Sequence, residues 1–133
     1  EETNLLHYFS EIVPSFKAMV TFNGKSFDIP FINNRMVYHR RSMNRIPIHV
    51  DMLHHSRKHW RWKTPDCKLQ TIEYYICGRQ RTEDIPSALI PEIYREFVRT
   101  GKTEFLKNVF YHNALDLITL CELTIILLSE NKP

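Results

Sequence analysis

The sequence has 133 residues, of which 43% are apolar and 12% aromatic, and its 18 lysines and arginines outnumber its 15 acids. This apolar content excludes a wholly disordered chain and predicts a single domain, residues 1–133, with a hydrophobic core. No uninterrupted run approaches the roughly 20 apolar residues of a membrane span, and the first residues lack the pattern of a signal peptide. We therefore expect a soluble, cytoplasmic protein that does not contact membranes.

The first half of the chain alternates between helical and strand patterns. Apolar spacing predicts a helix over residues 5–13, strands over 18–22 and 46–51, and a helix from Met52 to about Trp60. Between the strands, another helix is predicted to begin near Asp28. Its inner face is expected to consist of Ile29, Ile32, Met36 and Val37.

The second half reads as helical. Helices are predicted from Leu69 to a stop at Gly78, over residues 91–98 up to a stop at Thr100 and Gly101, and from Glu104 or Asn108 to Ser129. The last helix is apolar nearly all round in its second half, so we expect it to be buried on most sides.

Two strands among five or six helices predict a helix-rich α/β fold with too few strands for a stable sheet. The chain also begins without methionine. We therefore expect an N-terminally truncated fragment whose other strands lie upstream, or a sheet edge that a partner covers, which includes a homodimer.

Basic residues are concentrated between Asn33 and Lys63, where eight lysines and arginines face one acid, Asp51. This segment alone carries a charge of +7. Because cations neutralise phosphates and aromatic rings stack on bases, the segment is typical of contact with single-stranded nucleic acid. The candidate binding residues are Arg57, Lys58, Trp60 and Arg61. The alternative is a solvated helix face whose tryptophans cap the core.

Three side chains suggest a metal-dependent hydrolytic site. Asp28 follows a strand and its turn, and His112 and Asp116 lie one turn apart on the last helix, where residues i and i+4 share a face. Two carboxylates suit Mg²⁺ or Mn²⁺, and a neutral imidazole can accept a proton from water. The alternative is that Asp28 caps its helix and the other two are solvated polar residues.

Two segments carry a family resemblance. Residues 21–31, Thr-Phe-Asn-Gly-Lys-Ser-Phe-Asp-Ile-Pro-Phe, resemble the second motif of the DEDD superfamily of RNase-H-like 3′–5′ exonucleases, and residues 111–116, Tyr-His-Asn-Ala-Leu-Asp, resemble the third. Residues 49–54, 67–73 and 84–91 resemble the bacterial YprB-like branch of predicted exonucleases. The similarity therefore runs along nearly the whole chain.

The resemblance implies an RNase-H-like fold and a two-metal hydrolysis of phosphodiester bonds at the ends of single-stranded DNA or RNA. It implies that Asp28 and Asp116 bind Mg²⁺ or Mn²⁺ and that His112 is the general base. It further implies that Asn23 and Phe27 contact the nucleic acid.

The sequence departs from the family pattern at two points. No Asp-x-Glu pair lies on a strand before Ala18, so the chain as given is expected to be inactive or nearly so, and a non-catalytic binding module is the alternative function. His112 lies four residues before Asp116, whereas histidine-type members place histidine five before, a position that Tyr111 holds here.

Further polar residues have weaker interpretations. Asp51, His55 and His59 share a helical spacing and precede Cys67, which permits a zinc site; Asp51 is alternatively a helix cap. Glu73 and Asp84 are possible additional carboxylates at the site.

Overall fold

The computed structural model describes residues 1–42, 46 and 48–130, and divides the chain into two compact units, residues 1–68 and 69–133. Arg45 and Pro47, which belong to the predicted basic segment and second strand, lie outside the described residues. The division into one domain or two stays a prediction, and each unit is described separately.

The first unit is a strand–helix–strand arrangement with a helix at each end. Its elements are α1 (Glu2–Ile12), a 3-10 turn (Val13–Ser15), β1 (Ala18–Thr21), α2 (Asp28–Tyr38), β2 (Ile48–Asp51) and α3 (Met52–His59). The two strands pair in parallel, so that Ala18 lies opposite Ile48 and Thr21 opposite Asp51. Parallel strands need a crossover connection, which α2 supplies. The predicted elements are confirmed; β1 ends one residue earlier than predicted, and β2 is described from Ile48.

The core of the first unit combines apolar residues from α1, α2 and α3. Its members are Leu6, Val13, Met36, Met52, Leu53 and Trp60. Met36 is buried on the predicted inner face of α2, but Val37 is 67% exposed, so that part of the prediction is wrong. Residues 36 and 37 are about 100° apart around a helix, so burying the first turns the second toward solvent.

In the described part of the second unit, residues 69–130, the regular elements are all helical. Its elements are α4 (Leu69–Ile72), a turn of π-helix (Glu73–Cys77), a 3-10 turn (Ser87–Leu89), α5 (Ile90–Thr100) and α6 (Leu106–Glu130). The predicted stops at Gly78 and Gly101 are confirmed, because both glycines have a positive φ, 68° and 70°. Glycine adopts this left-handed conformation at a helix end without the cost of a side chain.

Helix α6 is less buried than its composition predicts. Its buried residues are His112, Thr119, Leu123 and Leu127, whereas Leu117, Ile118 and Ile125 are more than half exposed. The prediction of burial on most sides is therefore wrong, because the π turn and α5 pack against only part of its circumference. By length and composition alone α6 is long and apolar enough to cross a membrane, although core helices of soluble proteins have the same properties.

Candidate functional site

In the first unit, Asp51 anchors the loop that follows β1. Its Oδ1 accepts hydrogen bonds from the backbone N–H groups of Asn23 (2.7 Å) and Leu53 (3.1 Å), and its Oδ2 accepts one from Lys25 (3.0 Å). Burial would raise the pKa of Asp51, but these N–H groups lower it below its usual range. Asp51 therefore caps α3, as one interpretation predicted, and also fixes the loop that leads to Asp28.

The same loop requires a glycine at position 24. A Cβ atom on Gly24 would lie 2.5 Å from the Cβ of Thr21, closer than two non-bonded carbon atoms approach each other. Asn23, just before it, has a φ of 63°, a left-handed conformation that asparagine tolerates better than most residues. The loop conformation is thus set by Asn23, Gly24 and the carboxylate of Asp51.

Asp28 is the first residue of α2, and its side chain is exposed. Asp28 is not the N-cap of this helix, because Phe27 holds that position and makes no side-chain hydrogen bond there. Phe27 and Phe31, one turn apart, are also exposed. The structure therefore presents an exposed carboxylate with phenyl rings beside it, and Phe31 is a surface aromatic that the sequence did not single out.

The basic segment is split between surface and core. Arg57, Lys58 and Arg61 are exposed as predicted, but Trp60 is only 1% exposed and belongs to the core. A buried indole cannot stack on a base, so the prediction that Trp60 binds nucleic acid is wrong. Trp62 is the exposed tryptophan, at 77%, and the Nζ of Lys63 lies 4.9 Å from its ring centroid.

Arg35 is engaged within the protein. Its Nε and Nη2 each donate to a carboxylate oxygen of Glu2 at 2.5 Å, and His39 Nε2 lies 2.9 Å from the same carboxylate. These bonds to Arg35 and His39 lower the pKa of Glu2 to about 2. The charge of Arg35 is therefore committed to α1, whereas Arg57, Lys58 and Arg61 are exposed.

In the second unit, a buried arginine joins three carboxylates. Arg81 contacts Glu73 (Nε to Oε2, 2.5 Å), Asp84 (Nη1 to Oδ2, 3.0 Å) and Asp116 (Nη2 to Oδ1, 2.7 Å). Burial disfavours the charged guanidinium, but Asp116, Asp84 and Glu73 outweigh it and raise the pKa of Arg81. A charge this deeply buried requires such partners, so this cluster fixes the loop that follows Gly78.

His112 lies between two members of this cluster. Its Nδ1 is 2.9 Å from both carboxylate oxygens of Asp84, and its Nε2 is 3.5 Å from Oδ2 of Asp116 and 3.3 Å from Oγ of Ser87. His112 and Asp116 therefore share a helix face, as their spacing predicts. The neighbouring Tyr111 is exposed instead.

A second arginine extends the cluster along α6. Arg79 Nη1 lies 3.1 Å from Oε1 of Glu73 and 3.4 Å from Oγ1 of Thr119, and Arg79 Nη2 pairs with Glu122. The extended cluster holds four carboxylates and two guanidinium groups. Sequence reasoning missed both arginines, because neither occupies a motif position and only the tertiary structure brings them to α6.

An open pocket of about 330 Å³ borders the cluster. Arg79, Arg81 and Asp84 form part of its wall, and Gln70, Tyr74 and Pro86 are among its other lining residues. Gln70 donates from its amide to Oδ2 of Asp84 at 3.2 Å. Solvent thus reaches the neighbourhood of Asp84 from this side.

A family model of the RNase_H superfamily matches residues 1–128, which run through both units. The chain belongs to the RNase_H superfamily. It is 34% identical over 120 residues to the uncharacterized protein YprB of Bacillus subtilis (strain 168), a match that covers 89% of this chain and 29% of YprB. The chain therefore spans less than a third of that relative's length. No solved structure matches the chain.

Membership of the RNase_H superfamily confirms the predicted RNase-H-like α/β fold and makes this a nuclease-like domain. Nucleases of this superfamily generally use divalent metal ions. The carboxylates of Asp28 and Asp116 suit such ions in chemical type. Among the described residues, however, no group of three or more His, Cys, Asp or Glu is arranged to hold a metal ion. The zinc interpretation of Asp51, His55 and His59 gains no support either, because backbone N–H groups occupy the carboxylate of Asp51.

Proposed function

We propose that this chain is part of a divalent-metal-dependent 3′–5′ exonuclease of the DEDD type, in the YprB-like branch, that hydrolyses phosphodiester bonds at single-stranded nucleic-acid ends. The observation that supports the proposal is the partly buried cluster around His112 and Asp116. Its two guanidinium groups leave two of its four carboxylate charges unbalanced. Because Asp116 and Glu122 are partly exposed, a cation from solvent can approach this excess of negative charge.

The proposed roles follow from where each side chain lies. Asp28 and Asp116 would each offer carboxylate oxygens to Mg²⁺ or Mn²⁺, and ions bound there would supply the charge stabilisation of a two-metal phosphodiester hydrolysis. His112 accepts the proton of the attacking water at Nε2. The buried, hydrogen-bonded ring of His112 suits this role better than the exposed phenol of Tyr111.

The surface of the first unit supplies the proposed contacts to the strand. Arg57, Lys58 and Arg61 offer exposed cations for phosphates, and Trp62 takes the stacking role that was predicted for Trp60. Next to Asp28, Asn23 and Phe27 are both exposed and are proposed to contact the terminal nucleotides. Homodimerisation through an edge of the β1–β2 sheet stays a prediction, as does the cytoplasmic location.

A non-catalytic binding module is the second candidate, and one contact favours it. Arg81 Nη2 lies 2.7 Å from Oδ1 of Asp116 and so already neutralises one oxygen of the proposed metal ligand. A domain that had lost its chemistry would keep such a pair for stability. The two candidates make the same prediction for binding and opposite predictions for cleavage.

The decisive experiment uses the full-length gene product with single-stranded DNA and RNA carrying a label at one end, in Mg²⁺ or Mn²⁺. Stepwise shortening from the 3′ end, lost on addition of EDTA, is expected for the enzyme. We expect Asp28→Asn and Asp116→Asn each to abolish cleavage, because each removes a charged metal ligand while keeping the side-chain shape.

The matched control is Glu104→Gln, which neutralises an exposed acid outside the cluster and should leave cleavage unchanged. Cleavage that survives both aspartate substitutions would show that these residues are not the metal ligands. A wild-type protein that binds single strands but never shortens them would instead support the non-catalytic module.

A further inference from the structure

The pocket beside Arg79 and Arg81 has walls that suit a flat, uncharged ring. Its lining residues come from the segment of α4 and the π turn and from the loop after Gly78. They include one aromatic ring, two apolar side chains and one amide, from Tyr74, Ile85, Pro86 and Gln70. We propose that this pocket receives one unstacked base of a single-stranded nucleic acid and that the base stacks on Tyr74. The proposal rests on the nuclease function proposed above, because it names the part of the substrate that the pocket binds.

The size of the pocket limits what it can hold. Pockets for small ligands begin at about 300 Å³, so a volume of about 330 Å³ has room for one small planar group but not for a duplex. A base of a single strand is such a group, because it can turn out of the strand while its sugar and phosphate stay in solvent.

The two arginines of the wall do not make the pocket a phosphate site. Arg79 pairs with two carboxylates and Arg81 with three, so both positive charges are already neutralised. A phosphate would also meet the excess negative charge of the same cluster, which repels it. An uncharged base is not repelled, so the charges of the pocket favour the base over the phosphate.

Tyr74 offers a surface for stacking. Its side chain is 52% exposed, although it lies in the wall of a pocket. The ring meets that of Tyr75 at 82°, with the centroids 5.2 Å apart. Such an edge-to-face contact uses at most one face of Tyr74, so the other face is available to a base. Ile85 and Pro86 add apolar surface in the same pocket.

Gln70 supplies a polar group for the edge of the base. Its amide NH₂ donates to Oδ2 of Asp84 at 3.2 Å, and this bond fixes how the amide is turned. The carbonyl oxygen of the same amide is a hydrogen-bond acceptor in the wall of the pocket. Each of the common bases has an N–H group at its edge, and such edges are read by hydrogen bonds when single strands are recognised.

The test measures binding without cleavage. Full-length protein is titrated in EDTA with fluorescein-labelled single-stranded DNA and RNA oligonucleotides of mixed sequence, and the anisotropy gives Kd. Tyr74→Ala should raise Kd about 5- to 150-fold, the value of stacking one base, whereas Tyr74→Phe keeps the ring and should bind as wild type does. Tyr75→Ala is the matched control, because Tyr75 is also 52% exposed but does not belong to the described lining of the pocket.

Two further measurements identify the base. When an abasic sugar replaces each nucleotide in turn, one position should weaken binding to wild type but not to Tyr74→Ala, because the contact is already lost there. In strands that carry 5-iodouracil, irradiation links the base to an aromatic side chain stacked on it, and one cross-link to wild-type protein should map to Tyr74. This measurement needs no variant, so it decides the question even if Tyr74→Ala does not fold.

Cross-links confined to peptides outside residues 70–86 overturn the proposal, as does a folded Tyr74→Ala protein with the Kd of wild type. Wild-type protein without affinity for either strand overturns it as well. Binding that depends on Tyr74 in a protein that never shortens a strand supports the pocket and refutes the proposed enzyme. Cleavage by wild type, together with unchanged binding by Tyr74→Ala, supports the enzyme and overturns the pocket.

Discussion

Replacing Asp51 by asparagine tests how the loop between β1 and α2 is held. The aspartate is 2% exposed, and its two oxygens accept three backbone N–H groups. Asparagine keeps one oxygen, which can still serve Asn23 and Leu53, but its NH₂ group then faces the N–H of Lys25. Two donors face each other, and the Lys25 N–H loses its acceptor.

The expected cost follows from that count. A buried donor left without an acceptor costs about 1 to 3 kcal/mol, and hydrogen bonds to a charged group are worth about 1.5 to 3 kcal/mol. One lost bond and one donor–donor contact therefore predict that Asp51→Asn lowers the free energy of unfolding by about 2 to 3 kcal/mol. Asp51→Ala leaves all three N–H groups without this acceptor and should cost about 3 to 5 kcal/mol.

Urea unfolding followed by tryptophan fluorescence measures this cost in the relevant unit, because Trp60 is buried in the core of the first unit. Asp28→Asn is the matched control: it makes the same substitution at an exposed position of the same unit and should change stability by less than about 0.5 kcal/mol. If the urea concentration at the unfolding midpoint is no lower for Asp51→Asn than for Asp28→Asn, Asp51 does not anchor the loop.

The same argument predicts a pH dependence. The pKa of Asp51 is lowered in the folded state, so its ionised form stabilises the fold above its unfolded pKa of about 3.9. That contribution is lost as the pH falls through the lower, folded pKa. The difference in unfolding free energy between wild type and Asp51→Asn should therefore narrow in acid. A difference that stays constant down to the acid transition would contradict the stabilising role of the ionised Asp51 carboxylate.

Two further predictions concern the same unit. Trp62→Ala should weaken single-strand binding by about 1 to 3 kcal/mol without changing stability, whereas Trp60→Ala should lower the free energy of unfolding by about 3 to 5 kcal/mol. A fluorescence-anisotropy titration measures the binding and urea unfolding measures the stability. The reverse pattern would show that Trp60 is the stacking residue. Gly24→Ala should cost about 1 to 3 kcal/mol in urea unfolding, since the new Cβ would lie 2.5 Å from Thr21; an unchanged midpoint would mean that the loop has room for a side chain.

Local sequence patterns predicted the elements well. The two strands, the start of α2 at Asp28 and the helix stops at Gly78 and Gly101 all follow from hydrophobic spacing and glycine placement. These features depend on backbone preferences that act within a few residues, so the sequence alone is sufficient for them. The shared helix face of His112 and Asp116 followed for the same reason.

Burial was predicted less well, because it depends on which helices and strands pack against each other. Trp60 and Trp62 both sit among cations in the sequence, yet one is core and the other surface. Composition likewise predicted a deeply buried α6, whereas much of its apolar surface is exposed. A side chain's partners cannot be read from its own neighbours along the chain.

The sequence by itself determined the superfamily, the order of helices and strands, and the three residues on which the proposed chemistry depends, Asp28, His112 and Asp116. Only the tertiary structure decided what surrounds them: Arg81 on one oxygen of Asp116, Asp84 on Nδ1 of His112, and Asp51 beneath the loop before Asp28. Motifs record residues at fixed spacing, whereas each of these contacts joins positions 28 to 35 residues apart. The electrostatic environment of the proposed site is therefore a product of packing.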